Sequence, residues 1–438
     1  MEYQVAEQST IIDPATAEHI ELMSSLGQSK SKLFGVLNHC SSQGGVRLLR
    51  SNLFQPSVNK NLIMDRLEVV EELIDNMSLH HNLKSLIARF PDLDPVLTLC
   101  VKRPDVNISS AQIDAKIDRM VALKQFLELL PHLHQLLQGA SSHLCKEAST
   151  MLSKHVNTST LLLEMMHLVL IENAAVTKSS GAIKFSRALA VKPDVNGLFD
   201  IARTTFCEYV EFLEVYVAEL GEEHQLPLKM QWSNNKGFFI QLANTKTAQV
   251  SVKDLPDTFQ RVQKLKNGIS FVTQEFSVKD RLVKNTLLEI SHMSNAVLDE
   301  LLVEVREYIG FLYKLSETLS ILDMLTSLAT VSMSHDYVKP EFGDSLAIKQ
   351  GRHPILDTMA MDIVANDVIA DPLSRLHILT GPNMSGKSTY LRQVVLLSIM
   401  AQIGCYVPTQ FGGLWGAVQK CWMQSGDGRV RGFDIYLM

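Results

Sequence analysis

The stretch VNGLFDIARTTFCEYVEFLEVYVAELGEEHQLPLKMQWSNNKGFFIQL, residues 195–242, changes its hydrophobic period partway along. In its first half, apolar residues recur at three- and four-residue spacing, which is the period of an amphipathic helix. The residues on that face are Leu198, Ala202, Thr205, Tyr209, Phe212 and Tyr216. We predict one long helix that ends at Leu220, with Gly221 as its C-terminal cap.

The second half of the stretch has a period of two. Met230 and Trp232 alternate with polar residues before the turn SNNKG, and a returning strand is predicted over 238–242. A second hairpin is predicted over 261–273, because the Asn-Gly pair within it favours a type I′ turn. A small antiparallel sheet is therefore inserted between helices.

A second long helix is predicted after this sheet, over 286–330. Its apolar residues step by four and three, which makes a heptad stripe. The stripe consists of Leu301, Val305, Tyr308, Leu312, Leu315, Leu319 and Leu322. As one helix, 286–330 would extend about 65 Å, a rigid lever that carries the sheet at its far end. The alternative is two ordinary core helices broken near Gly310.

Length and composition bound the class of protein. The chain has 438 residues, of which 46% are hydrophobic and 20% charged, so two or three globular domains are expected. The N-terminus lacks a basic region followed by an apolar core, and no segment is long and apolar enough to span a bilayer. We expect an intracellular soluble protein with no membrane partner.

Cysteine and histidine spacing argues against a structural metal. The six cysteines lie far apart, form no Cys-x-x-Cys pair and suggest a reducing compartment. Histidines such as His132 and His134 sit among leucines without ligand partners at metal-binding spacing, so they are read as ordinary helix-face residues.

The first part of the chain, from about residue 10 to 180, has a helical period with short breaks. Prolines punctuate it at Pro56, Pro91, Pro95, Pro104 and Pro131. We predict an all-helical bundle.

Positive charge is concentrated in the inserted sheet. The chain carries a formal charge of −6, yet residues 224–285 hold ten basic and four acidic residues, a net +6. Clustered lysine and arginine suit contact with a phosphate backbone. The predicted DNA-contacting residues are Lys229, Lys236, Lys246, Lys253, Arg261, Lys264 and Lys266. A solvated basic face without a ligand is the alternative.

The segment GPNMSGKST, residues 381–389, matches the phosphate-loop pattern G-x-x-x-x-G-K-[ST]. A strand is predicted before it over 376–380, and a helix after it over 390–403. In such a loop, backbone N–H groups surround the phosphates, Lys387 faces the β and γ phosphates, and the Ser388 hydroxyl reaches Mg²⁺. The predicted cofactors are therefore ATP and Mg²⁺.

Hydrolysis needs an acidic residue at the end of a second strand. The 49 residues after Thr389 contain no apolar strand ending in Asp-Glu. The similar string AVLDELL, 296–302, lies upstream within the heptad stripe, where we expect a structural role. We expect half of an ATP site and leave catalysis undecided.

The string GPNMSGKSTYLRQ, with the helical bundle, the two long helices and the basic sheet, resembles the MutS mismatch-repair ATPase family. The resemblance covers Thr10 to about Phe411. Further similar stretches are LFGVLNHCSSQGGVRLLRSNLFQP (33–56), VKPDVNGLFDIARTTF (191–206), KGFFIQL (236–242), GRHPIL (351–356) and VAND (364–367).

The resemblance implies which residues bind the nucleotide. They are Gly381, Pro382, Asn383, Met384, Ser385, Gly386, Lys387, Ser388 and Thr389, together with Ile363 and Asn366. Many members have an aromatic residue that packs on adenine where this chain has Ile363, so a weaker hold on the base is implied. From this resemblance we expect the family's N-terminal mismatch-reading domain and connector to be absent. Residues from Gly412 onward depart from the family pattern and are expected to be an atypical, truncated end without the acidic strand, the signature loop or the dimerising helices.

Within the family, LPLKMQWSNNKGFFIQL and LAIKQGRHPIL look most like meiotic members. That likeness implies a nuclear subunit on meiotic chromosomes, which pairs with MutS homologue five as a heterodimer and closes around branched, Holliday-junction-like recombination intermediates. ATP binding would convert it to a sliding clamp that favours crossovers, through different affinities for two nucleotide states.

The predicted fold is multidomain and mainly α, with an inserted antiparallel β clamp and a partial α/β phosphate-loop ATPase domain. The expected segments are a helical core domain 1–193, a first lever helix 194–223, a basic clamp 224–285, a second lever helix 286–335, the start of the ATPase domain 336–411 and the atypical tail 412–438.

Two other classes of function remain open. One is a non-hydrolysing scaffold that binds DNA or a partner through its helices while the ATPase domain is inert. The other is a coiled-coil chromosome ATPase, which would need an apolar hairpin tip where this chain is basic.

Overall fold

The structure is a computed structural model of the 438-residue chain. It describes residues 9–23, 32–102, 108–171, 190–193, 197–233, 237–243, 256, 258–265, 268–343, 345–359, 363–371, 373, 377–382, 385–410, 414–415, 420–425 and 433–437. The chain forms two compact units. Unit 1 comprises residues 1–94, 128–157 and 311–438, and unit 2 comprises residues 95–127 and 158–310.

Unit 1 is mainly helical. Its helices are α1 (Pro14–His19), α2 (Leu33–Leu37), α3 (Gln43–Phe54), α4 (Lys60–Asp75), α5 (Met77–Ile87), α8 (His143–Lys154), α12 (Ile309–Ser334), α13 (Pro354–Asp357) and α14 (Lys387–Gln402). Four of them begin after a polar residue whose side chain accepts first-turn N–H groups, namely Asp13, Ser42, Asn59 and Asn76. The helical character predicted for about residues 10–180 is confirmed for the described residues, but these helices are divided between the two units and strand β1 lies at 11–12.

Most residues in the second half of helix α12 are buried, and Asp323 there is only 1% exposed. The Asp323 carboxylate accepts hydrogen bonds from the backbone N–H of Ser41 at 2.9 Å and from the N–H and hydroxyl of Ser42 at 2.8 and 2.6 Å. A Cβ at Gly45 would collide with this carboxylate. Glycine therefore lets α3 approach α12 closely enough for Asp323 to bind Ser41 and the capping residue Ser42.

Unit 2 contains the inserted sheet and the helices that flank it. The helices are α6 (Asp94–Val101), most of α7 (Ser110–Leu137) and α9 (Val156–Val169), α10 (Gly197–Glu223) and α11 (Gln274–Glu307). The strands are β2 (Leu228–Ser233), β3 (Gly237–Ala243), β4 (Gln260–Leu265) and β5 (Gly268–Val272), in the spatial order β2-β3-β5-β4 with every pair antiparallel. The predicted two-hairpin sheet is confirmed.

One face of this sheet packs on α10 and α11. Phe238, Ile240 and Phe271 from the strands join Leu213 and Val283 from the helices in one buried cluster. Alternate strand residues supply it, because successive side chains of a strand point to opposite faces. The other face carries the polar residues of the same strands.

Several details of the helices differ from the predictions. Helix α10 buries Phe199 and Phe206, whereas the predicted face residues Leu198 and Phe212 are 67% and 38% exposed. The helix has two adjacent apolar rows, and packing against α11 selects one of them. Helix α10 also continues past Gly221, which lies inside it.

The predicted single lever over 286–330 is wrong in the structure. Helix α11 ends at Glu307, Tyr308 is its cap, and α12 begins at Ile309, which follows the alternative of a break near Gly310. The heptad residues on both sides are nevertheless buried, apart from half-buried Tyr308. Pro131 does not interrupt a helix as predicted, because α7 continues through it.

The remaining strands belong to unit 1. They are β1 (Ile11–Ile12), β6 (Glu341–Phe342), β7 (Leu346–Gly351), β8 (Asn366–Ala370), β9 (Leu414–Trp415), β10 (Lys420–Ser425) and β11 (Phe433–Leu437). One sheet has the order β6-β9-β7-β8 and the other β1-β10-β11. Three short strands thus lie within 412–438, the segment that the sequence analysis expected to be an atypical, truncated end.

Candidate functional site

The phosphate-loop segment leads directly into helix α14. Gly386 is the residue before the helix and has φ of +88°, a left-handed conformation that glycine adopts without strain. No side chain caps the N-terminus of α14. The first N–H groups of the helix and the positive end of its dipole are therefore available to an anion.

The Lys387 ammonium lies back over the loop. It donates to the carbonyl oxygens of Gly381 and Pro382, each at 2.6 Å, and lies 3.4 Å from the Ser385 hydroxyl. Lys387 and the next residues, Ser388 and Thr389, are half-buried in the first helical turn. The structure thus places one cation and two hydroxyl groups at the start of α14.

Hydrogen bonds join the first turns of α14 to strands β7 and β8. The Gln393 side-chain amide donates to the Gly351 carbonyl at 2.7 Å and accepts from the Asn366 amide at 3.1 Å. The Tyr390 hydroxyl donates to the Asp367 carbonyl at 3.4 Å. Asn366, which the sequence had placed at the nucleotide site, is therefore tied to the helix of the loop.

The other predicted parts of the site are Ile363, Asn383, Met384 and the strand before the loop. Ile363 is half-buried just ahead of β8, and Asn383 and Met384 lie outside the described residues. The strand predicted over 376–380 is not formed where the structure describes it, since 377–382 have no regular secondary structure. Ile378 there is 80% exposed. A strand requires a hydrogen-bonded neighbour, and none of the described strands pairs with this segment.

The GRHPIL stretch contributes a buried histidine that the sequence had not singled out. His353 precedes α13, is 4% exposed, and burial together with the nearby Arg392 charge lowers its pKa to about 4. Its neighbour Arg352 forms an ion pair with Asp357 at 2.9 Å. The GRHPIL motif could have drawn attention to His353 in the sequence. Its burial in the folded chain is what keeps the imidazole neutral.

Three of the seven predicted DNA-contacting residues lie in the described part of the clamp sheet. Lys229, Arg261 and Lys264 are all exposed. Arg261 has φ of +52° at the irregularity where β4 shifts its register against β5. Lys236, Lys246, Lys253 and Lys266 lie outside the described residues.

A polar row crosses the outer face of the clamp sheet. Lys229 on β2 pairs with Gln241 on β3, Gln241 with Ser270 on β5, and Ser270 with Gln263 on β4. Lys229 and Gln263 are exposed and Gln241 is half-buried, whereas Ser270 is only 3% exposed. The three uncharged members were missed from the sequence. Strand alternation was the signal for them, because they occupy the positions between the buried apolar residues.

Part of the positive charge of the clamp is used within unit 2. The Lys284 ammonium pairs with Asp280 at 2.6 Å, and Asp280 accepts the Phe238 N–H at 2.9 Å, which ties β3 to α11. The Lys279 ammonium lies 4.5 Å from the Phe212 ring centre. These two lysines therefore hold the base of the clamp together.

No cluster of three metal-ligating side chains occurs among the described residues. Within the same residues, none of the helices has both the length and the apolar character needed to cross a bilayer. In a phosphate loop the residue type that binds a nucleotide-associated Mg²⁺ is Ser or Thr after the lysine, which here is Ser388.

Comparison with known proteins gives two matches to family descriptions. MutS domain III matches residues 15–329, and MutS domain V matches residues 377–424. The second match extends past Phe411, where the sequence resemblance had been expected to stop.

Individual relatives agree with these matches. MutS protein homolog 4 of Mus musculus is 38% identical over 95% of this chain and 43% of that protein, and MutS protein homolog 4 of Homo sapiens is 37% identical over 93% and 44%. The DNA mismatch repair protein MutS of Thermotoga petrophila is 29% identical over 91% and 46%. The chain spans about half the length of the relatives it matches.

Proposed function

The chain belongs to the MutS family, as its motifs had predicted, and on that premise we propose that it is an ATP- and DNA-binding subunit of a clamp on branched recombination intermediates. In this proposal ATP switches the clamp between states, and the process served is meiotic crossover formation.

The observation that carries the ATP part is the loop at the start of α14. Gly386 turns the chain, Lys387 brings an ammonium to the loop, and the helix start has no side-chain cap. These donors fit the phosphate groups of a nucleotide. Bound Mg²⁺ would supply charge neutralisation between the phosphates, with the Ser388 hydroxyl as its protein ligand.

The DNA part is supported by the outer face of the clamp sheet. Lys229 stands at the β2 edge and is exposed, and the side-chain amides of Gln241 and Gln263 lie in the same row of paired residues. Ser270, between them, is 3% exposed and contributes no surface group. An ammonium suits a phosphate oxygen, and amide groups donate to phosphate or sugar oxygens without reading sequence. Such contacts suit a clamp that moves along DNA.

The meiotic assignment is supported by the likeness of the chain to proteins named MutS protein homolog 4. We extend it to a heterodimer with MutS homologue five and to a nuclear location on meiotic chromosomes. Binding partners would be double-stranded and branched DNA.

Labelled-nucleotide binding tests the ATP part. With Mg²⁺, the wild-type chain should bind ATP, and Lys387→Ala should lose binding because the loop ammonium is gone. Lys146→Ala, which changes an exposed lysine on α8, serves as the matched control and should bind like the wild type. Equal binding by the wild type and Lys387→Ala would contradict the assigned site.

Salt dependence tests the DNA part. The chain is titrated with a four-way junction at several salt concentrations, and Lys229→Gln is compared with Lys102→Gln, an exposed lysine outside the sheet. Loss of one phosphate contact should reduce the slope of log affinity against log salt by about 0.9. An unchanged slope for Lys229→Gln would remove Lys229 from the interface.

A non-hydrolysing scaffold is the second candidate function. The exposed segment 377–382 before the loop, which forms no strand, favours it. Thermal melting with and without Mg²⁺-ATP separates the two candidates. ATP raises the thermal stability of the chain only if a folded site binds it.

A further inference from the structure

Helix α14 joins the phosphate loop to the interior of unit 1. Its sixteen residues span about 24 Å, and every residue from Gln393 to Gln402 is buried. Its first turn is half-buried, whereas the chain that follows its end, including Ile403 and Gly404, is buried. Whatever holds the C-terminal end therefore also fixes where the loop end points.

A buried arginine lies at that C-terminal end. Arg66, on α4, is 7% exposed, and its guanidinium donates to the Ile403 carbonyl at 3.3 Å. Its stem covers Gly404, where φ is +88° and an added Cβ would come within 2.6 Å of the Arg66 Cβ. The glycine is thus required both by the turn and by the close approach of Arg66.

The negative end of the α14 dipole, rather than a carboxylate, faces the Arg66 charge. Among the described residues no carboxylate forms an ion pair with it. Burial lowers the pKa of the guanidinium to about 10, so it stays charged at neutral pH. A cation at the C-terminus interacts favourably with the negative end of the helix dipole. The charge is therefore placed where it stabilises the alignment of α14.

A second contact holds the same end. The Gln402 side-chain amide donates to the Thr10 hydroxyl at 3.0 Å and to the Ser57 carbonyl at 3.3 Å. The segments that precede α1 and α4 therefore both form hydrogen bonds with the last turn of α14.

We propose that Arg66 is a positioning residue for the nucleotide loop: it seats the C-terminal end of α14 on α4 and couples phosphate binding at Lys387 to the helical core. This inference rests on the proposed ATP binding. An anion at the N-terminus and a cation at the C-terminus favour the same aligned helix. Occupancy of the loop then reduces the motion of α14 against α4, and that restraint reaches residues 60–75.

The test compares Arg66→Met, Arg66→Lys and the exposed control Arg50→Met in the full chain. The readouts are Mg²⁺-ATP affinity, and amide exchange of residues 60–75 with and without ATP. We expect Arg66→Met to weaken ATP binding roughly two- to five-fold and to abolish the ATP-induced protection of 60–75. Arg66→Lys, which keeps the charge, should recover part of both, and Arg50→Met should match the wild type.

A merely structural role would give a different result. Arg66→Met would then lower protection equally with and without ATP, and ATP would still protect 60–75 as in the wild type; that outcome overturns the inference. If Arg66→Met does not fold, Arg66→Lys and Gln402→Met take its place, and unchanged affinity and ATP-induced protection in both overturn it as well. No ATP binding by the wild type defeats the proposed function and this inference together, whereas wild-type binding with an unaffected Arg66→Met defeats the inference alone.

Discussion

His353 makes the stability of unit 1 depend on pH. Its imidazole is 4% exposed, and burial with the Arg392 charge lowers its pKa from 6.5 to about 4. The unfolded chain therefore takes up a proton near pH 6.5, which the folded chain resists until about pH 4. Stability from this residue is fully present above pH 6.5 and is lost as the pH falls through the window between those values.

The size of the effect follows from the two pKa values. Between pH 7 and pH 5 the loss of unfolding free energy attributable to His353 is about 2 kcal/mol. His353→Leu removes the titrating group from the same buried position. Its unfolding free energy should therefore fall by about 2 kcal/mol less than that of the wild type over this range.

Native-state amide exchange of residues 393–402 is the assay, with rates corrected for the intrinsic pH dependence of exchange. These residues are buried in α14 and report opening of the unit that contains His353. His132→Leu, at an exposed histidine of α7, is the control and should keep the wild-type pH dependence. The same pH dependence in wild type and His353→Leu would refute the reasoning.

Three further substitutions test the packing that supports the site. Gly45→Ala should lower the unfolding free energy of unit 1 by about 1–3 kcal/mol in urea, because the new Cβ meets the Asp323 carboxylate. Lys116→Met should destabilise unit 2 by about 2 kcal/mol, since the buried ammonium bonds to Asp299 at 2.5 Å, and thermal melting measures the loss. Asp280→Ala should lower the opening free energy of β2 and β3 by about 2 kcal/mol, because the buried Phe238 N–H loses its acceptor. Faster amide exchange in these strands measures the loss.

Matched controls separate these effects from loss of side-chain identity alone. Gly35→Ala in α2, where the nearest heavy atom would be 3.5 Å away, should be neutral or stabilising. Lys102→Met and Glu289→Ala change exposed residues and should leave stability and exchange within about 0.5 kcal/mol of the wild type. A control that matched its test variant would show that the named contact contributes nothing.

The clamp sheet was predicted from sequence because its information is local. Alternation from Met230 to Trp232 and the Asn-Gly turn specified the strands and hairpins, and the structure has them in the expected places. The buried face of α10 was predicted only in part: Ala202 is in the core cluster and Tyr209 and Tyr216 pack against it, as expected, but Leu198 is exposed. Leu198 and the buried Phe199 are adjacent and equally apolar. Only contact with α11 decides which of the two is covered.

The heptad stripe shows the same limit. Its residues from Leu301 to Leu322 are largely buried as their period implied, but the period is uninterrupted across Tyr308, where the helix breaks. Apolar spacing predicts which side chains are buried. It does not predict where one helix ends and the next begins, because the period can continue across the break.

For the candidate site, the sequence by itself determined the phosphate loop, because glycine at 386 and lysine at 387 carry their roles in local backbone geometry and charge. Tertiary structure alone decided what holds that loop. Arg66 is 337 residues from Ile403 along the chain, and Asn366 is 27 from Gln393. Hydrogen bonds between such distant residues have no periodic trace in a sequence, since they form only when packing brings the elements together.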